Sequence, residues 1–240
     1  GPMTLDGTNT WVLRAPGAAE AVVIDPGPQD DGHLAGIATH APVSSILVTH
    51  GHHDHVEGAA KLSRLLGGVP VRAADARHCV QSAPLTPGVL IEAGLEIEVL
   101  ATPGHTADSL SFLTTETVFT GDSILGRGTT VVAWPDGDLG AYLHSLELLS
   151  AYPRMVLPGH GPVLPDCGAI ARAYLAHRRE RLDQVRAAVA AGADTPEAVV
   201  DAVYTDLDPA VRVAALWSTR AQLEYLRRES QPAPEQLDPL

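Results

Sequence analysis

Ser45-Ile46-Leu47-Val48-Thr49-His50-Gly51-His52-His53-Asp54-His55 runs an apolar segment straight into a cluster of metal-binding side chains. The part over 45–49 reads as a strand, being short, apolar and rich in β-branched residues. Its end delivers His50, His52, Asp54 and His55 to the edge of a sheet. Neutral imidazoles and carboxylates are the donors that zinc and similar borderline divalent ions accept. In extended chain His50 and His52 project to the same side and reach one ion. Asp54 and His55 open the next helix and face a second ion, while His53 points away. A merely solvated polar turn explains this density of ligands poorly.

So short a stretch cannot fill two coordination spheres, so other loops must contribute. Three segments offer a ligand at the end of a predicted strand, next to glycine, where backbone bends sharply. They are Thr102-Pro103-Gly104-His105-Thr106, Thr120-Gly121-Asp122 and Leu157-Pro158-Gly159-His160-Gly161. Each alone is an ordinary turn. Their combination and order carry the signal.

The pattern His50-x-His52-x-Asp54-His55, then His105, Asp122 and His160, resembles the metallo-β-lactamase superfamily over about residues 5–165. The resemblance implies an α/β fold, an αββα sandwich of facing sheets with helices outside. It implies that His50, His52 and His105 hold one ion, that Asp54, His55 and His160 hold the other, and that Asp122 bridges. Such a pair of ions, about 3.5–4 Å apart, would share a bridging water and activate it for attack on an ester-like carbon or phosphorus. Asp54 and Asp122 are therefore the expected catalytic carboxylates, Asp54 orienting the attacking hydroxide. Zinc is the default cofactor, with iron or manganese also accepting these donors. Asp108 and Ser109, just after His105, are candidate partners for ligand imidazoles or, equally, helix caps.

Three further stretches resemble the lactamase-beta-like protein 2 branch, which includes endoribonucleases and thioester hydrolases. They are Thr4-Leu5-Asp6-Gly7-Thr8-Asn9-Thr10, the FTGDSILGRGTT run over 119–130, and His177-Arg178-Arg179-Glu180-Arg181. That branch implies a catalytic domain over 1–165 and a small helical, winged-helix-like domain over 166–230. Asp122 departs from the cysteine of the best-known zinc β-lactamases, and His52 from the glutamate of flavodiiron proteins.

The rest of the chain fits this layout. Strands are expected over 10–14, 21–25, 69–73, 95–101, 110–114, 117–120 and 155–157, and helices over 55–66 and 139–149. From 166 onward the pattern is helical: 169–191 ending at Gly192, then Thr195 as N-cap with Pro196 in the first turn of a helix to 203, then 208–229. The polar, Pro-containing stretch 231–240 is expected to be a disordered tail. His33, His40, His53, His78 and His144 have no partner in the pattern. Trp11, Trp134 and Trp217 read as core fillers or as the lining of a pocket, core packing being the commoner role, and Cys79 and Cys167 as free thiols.

At 240 residues, 45% hydrophobic and 19% charged, the composition is that of a globular chain. No apolar run approaches the roughly 18 residues of a membrane span, and the first residues lack a signal-peptide pattern, so the expectation is a cytoplasmic protein without membrane contact. The net charge of −13 works against broad attraction to nucleic acid. His177, Arg178 and Arg181 form the exception, a basic stretch that reads either as a solvated helix face or as a site for an anionic substrate group. The leading expectation is a binuclear hydrolase of a thioester, ester or phosphodiester, with a small-molecule or anionic substrate. A single-strand-specific endoribonuclease acting on RNA is the alternative, and a metal-binding regulatory or partner-binding protein is the competing class. Oligomeric state leaves no mark in the sequence.

Overall fold

A computed structural model describes residues 6–205 and 208–230 of the chain. Thr4 and Leu5, and the tail over 231–240, lie outside the described residues. Two sheets face each other. The first has four strands in sequence order, β1 (Trp11–Leu13), β2 (Ala21–Ile24), β3 (Val43–Leu47) and β4 (Val71–Arg72). The second has five, β5 (Gly88–Glu92), β6 (Leu95–Ala101), β7 (Leu110–Leu113), β8 (Thr117–Gly121) and β9 (Met155–Pro158). β2, β3 and β4 run parallel, as do β8 and β9.

Period-two alternation sorts each strand between two cores. Val22, Ile24 and Leu47 of the first sheet meet Ile97, Val99, Phe112 and Phe119 of the second. Ala21, Val23 and Ile46 turn the other way, onto α1 (Asp31–Ala38) and α3 (Ala59–Leu65), through Leu34, Ile37 and Leu62. All of β2 is therefore buried, which explains its unbroken apolar AVVI sequence. On the far side of the second sheet, Leu113, Val118 and Val156 pack under α4 (Leu139–Leu149) and α5 (Cys167–Ala190). The layers are αββα.

The expected helix over 55–66 is two pieces, α2 (His53–Val56) and α3, with Gly58 between them. The break occurs where the chain presses on backbone: the Gly58 N–H donates to Gly27 O at 3.0 Å, and a Cβ there would lie 3.0 Å from that oxygen. After α5 come α6 (Pro196–Val203), with the Thr195 hydroxyl accepting from Ala198 N at 3.2 Å, and α7 (Arg212–Glu229). The start of the last expected helix is a 3-10 turn, Pro209–Val211, capped by Asp208. No strand lies among the described residues of 166–230. Tyr174, Leu175 and Leu182 of α5 and Ala221 of α7 share one apolar cluster with α4, so no break in the core accompanies the change to helix.

The buried face of α7 is more polar than its leucine spacing suggests: Ala215, Thr219, Ala221 and Gln222 are buried, and Leu216, Leu223 and Leu226 are half-buried. Among the tryptophans, Trp11 packs edge-on against Phe119, whereas Trp134 and Trp217 are 44% and 38% exposed and do not fill the core. Both cysteines are free, Cys167 buried and Cys79 half-buried.

Candidate metal centre

The ligand-type side chains arrive from separate strand ends and meet at one edge of the sandwich. Two groups form, each with its donor atoms within 4.8 Å of one another: His50, His52, His105 and Asp122, and Asp54, His55 and His160. The His50 Nε2 lies 3.0 Å from His52 Nδ1, which lies 3.1 Å from His105 Nε2. In the other group His55 Nε2 is 3.3 Å from His160 Nε2, and His160 Nε2 is 3.2 Å from Asp54 Oδ2. Asp122 stands between the groups, with Oδ2 at 3.3 Å from His160 and 3.6 Å from His105, and Oδ1 at 3.4 Å from His55. His53 is exposed and turned away, as its position in the run predicts.

An oxygen holds the outer nitrogen of most of these rings. His55 Nδ1 lies 2.8 Å from Asp25 Oδ2, His105 Nδ1 2.7 Å from Val131 O, and His160 Nδ1 2.9 Å from Gly7 O. A carbonyl can only accept, so Nδ1 carries hydrogen in His105 and His160 and Nε2 is the atom each presents to the cluster. His50 Nδ1 is 3.0 Å from the Thr49 hydroxyl, which itself donates to Asp25 at 2.6 Å. Oxygens behind the rings are the usual means of fixing metal-ligating histidines.

Asp25 is the residue that sequence reasoning overlooked. It is buried, adopts φ +50°, and also accepts from Thr49 N at 2.8 Å. Residues 7–9 of the N-terminal motif also hold the cluster in place. Besides the Gly7 carbonyl, Thr8 Oγ1 donates to Asp54 Oδ2 at 2.7 Å, and Asn9 Nδ2 donates to Pro158 O and Gly161 O at 3.0 and 2.9 Å.

Asp108 and Ser109 are not among the partners of the imidazoles. Both engage Thr106, whose hydroxyl donates to Asp108 at 2.7 Å and whose N–H donates to Ser109 Oγ at 3.2 Å, so they shape the loop that carries His105. His78 and Asp75 join Asp108 in a separate half-exposed group. His177, Arg178 and Arg181 lie apart from the ligands, lining a cavity of about 200 Å³ between α5, the 129–131 segment and the start of α7. Arg178 is buried and donates to Thr130 O.

The electrostatics ask for cations. Burial and the neighbouring imidazoles His55 and His105 hold His50 well below the ordinary histidine range, hence neutral. Burial opposes ionisation of Asp54, yet the hydrogen bond from His160 and the His55 charge hold its carboxyl below the usual range. Against burial, Asp122 and Asp54 push His160 up to about 10, so in the protein alone a proton stands where two carboxylates call for positive charge. Asp122 Oδ1 is buried without a hydrogen-bond partner among the described residues. An orphaned carboxylate oxygen is costly unless a cation meets it. Gly159 leaves that space open, since a Cβ there would lie 2.5 Å from Asp122 Oδ1 and 2.6 Å from His55 Cε1. The donor set therefore fits a pair of divalent ions. The mouth is on the side of His52, which is exposed, and Asp54, whose side chain is 29% exposed.

Residues 3–78 match the profile of the metallo-beta-lactamase superfamily. A beta-lactamase-like protein 2 homolog of Drosophila melanogaster is 33% identical over 209 residues, covering 76% of this chain and 68% of the relative. An atrochrysone carboxyl ACP thioesterase of Aspergillus fumigatus is 31% identical over 229 residues, covering 85% and 70%. The crystal structure of a beta-lactamase domain protein from Burkholderia ambifaria superposes with a TM-score of 0.79 at 21% identity, over 96% of this chain and 84% of that one. With the fold, the ligand clusters and these relatives in agreement, the chain belongs to the metallo-beta-lactamase superfamily.

Proposed function

We propose that the chain is a binuclear metal-dependent hydrolase of acyl thioesters, with zinc as the resident metal. The observation that carries the reading is Asp122, buried between two ligand groups with one oxygen left unpartnered among the described residues. His50, His52 and His105 would hold one ion, Asp54, His55 and His160 the other, with Asp122 shared. Bound divalent ions supply Lewis-acid polarisation of a carbonyl and bring the ionisation of water towards neutral pH.

The chain's own residues supply the rest. Asp54 is half-buried at the mouth, and its depressed pKa suits it to orient the attacking water by accepting a hydrogen bond. Thr8 fixes the Asp54 carboxylate by donating to Oδ2. In the overall reaction water adds to the acyl carbon, the carbon–sulfur bond breaks, and a carboxylic acid and a thiol leave.

Thioesters are favoured over polynucleotides on two grounds. The relative named as an ACP thioesterase covers most of the chain. No continuous basic face runs along α5, since Arg179 pairs with Glu147 at 3.0 Å and Arg186 with Glu229 at 2.7 Å. With a net charge of −13, little is left to attract a phosphate backbone. A panel of acyl thioesters, bis(p-nitrophenyl) phosphate, single-stranded RNA and a cephalosporin, run on the zinc-loaded protein, tests the reading. Turnover of thioesters well above the other classes is expected. Loaded protein that hydrolyses RNA or nothing overturns it.

A further inference from the structure

We propose that the cavity between α5 and α7, lined by His177, Arg178 and Arg181, binds a phosphate group carried on the thiol portion of the substrate. The identity of the phosphate's bearer rests on the thioester reading above; the existence of the anion site does not.

The cavity holds about 200 Å³, more than one phosphate requires, and among its described lining residues there is no aspartate or glutamate. His177, Arg178 and Arg181 line it together with Thr129 and Ser218. Arg178 is 5% exposed and is fixed at the cavity wall by donating to Thr130 O. Arg181 is held ready: its Nη1 donates to Gln184 Oε1 at 2.8 Å and to Val203 O at 3.2 Å, and its guanidinium stacks 4.3 Å over the Tyr204 ring. A guanidinium carries five N–H donors, so this anchoring leaves donors for a ligand. Burial, then the charges of Arg178 and Arg181, lower the His177 pKa against the opposing charge of Glu180.

The cavity also touches the metal centre through a single segment. Val131, which lines it, accepts from His105 Nδ1 at 2.7 Å, and Thr130 donates through Oγ1 to Asp122 O at 2.8 Å. A substrate anchored there by its phosphate therefore lies against the segment that hydrogen-bonds to two of the proposed ligands. Anchoring by such a remote group is a common source of binding energy for positioning a reacting bond.

The test has two arms. Inorganic phosphate is titrated into metal-free protein while the His177 ring is followed by NMR. A saturable shift is expected, weakened about tenfold or more in Arg181→Met, the loss of one charge-assisted contact. No saturable shift in the wild-type protein, or an unchanged titration in Arg181→Met, overturns the site. The second arm compares KM for an acyl thioester of 4′-phosphopantetheine with that of pantetheine, which differ by the phosphate alone. A lower KM for the phosphorylated thioester that Arg181→Met abolishes is expected; equal values overturn the assignment to the substrate. If no thioester is turned over, the hydrolase reading fails and the phosphate titration alone decides the site.

Discussion

Asp25 and His55 are joined by a contact of 2.8 Å between Oδ2 and Nδ1, wholly inside the protein, and this contact fixes which nitrogen of His55 faces the ligand cluster. Asp25 closes the parallel strand β2 and His55 belongs to the short helix α2. The buried carboxylate raises the His55 pKa against strong desolvation, since Asp25 is the largest favourable influence on it.

Asp25→Ala removes the oxygen that orients His55 and partners Thr49. Loss of such a partner behind a ligating histidine costs about 10–100-fold in metal affinity. Competition titration with a chelator measures it. Unchanged affinity would show that His55 is held by packing alone.

Gly159→Ala places a methyl group 2.5 Å from Asp122 Oδ1, in the space left open between the ligand groups. The variant is expected to fold with a stability loss of about 1–3 kcal/mol, typical of overpacking, and to lose metal stoichiometry. Circular dichroism and metal analysis separate the two effects. Full metal content in the variant would place the ions elsewhere.

Much of this centre is legible in the sequence because ligands at strand ends, beside glycine, leave residue-type signals. Asp25 is not, since one aspartate ending an apolar run looks like any turn residue. The Gly7 and Val131 carbonyls are silent for a stronger reason: backbone acceptors are independent of residue identity. The strand β5 also escapes notice. It pairs with β6 through a tight turn in which Ala93 and Gly94 have φ +50° and +76°, and alanine is a poor marker of a turn that needs positive φ at both places. The helix α1 escapes because its eight residues include two glycines, Gly32 and Gly36, and bury only Leu34 and Ile37.

Tyr174→Phe tests the brace between α5 and the loop that follows Asp122. The Tyr174 hydroxyl donates its one hydrogen to Gly128 O at 2.7 Å and accepts from Leu125 N at 3.4 Å. Its loss is expected to cost about 1–3 kcal/mol, because the Gly128 carbonyl loses its donor and the Leu125 N–H its acceptor. Urea unfolding measures this, and a loss below a few tenths of a kcal/mol would mean that water replaces the hydroxyl.

Cys167 gives the stability a specific alkaline limit. Burial pushes its thiol up to about 12 from an ordinary 9.0. The unfolded chain ionises first, so it binds fewer protons than the native state above pH 9, and stability falls as pH rises from there towards 12. Below pH 9 the contribution is fully present. The slope reaches about 1.4 kcal/mol per pH unit between the two values. Urea midpoints of wild type and Cys167→Ala at pH 8 and 10.5 isolate the effect. Equal alkaline slopes in the two proteins would refute it.

The proposed hydrolase rests on Asp122 linking two metal ions in one site. Anomalous scattering at the zinc edge on zinc-soaked crystals, paired with metal analysis of Asp122→Asn, tests it most directly. Two peaks flanking Asp122 are expected, one beside His50, His52 and His105 and the other beside Asp54, His55 and His160, with occupancy reduced in the variant. A single peak, or two peaks of unchanged occupancy in Asp122→Asn, would contradict it.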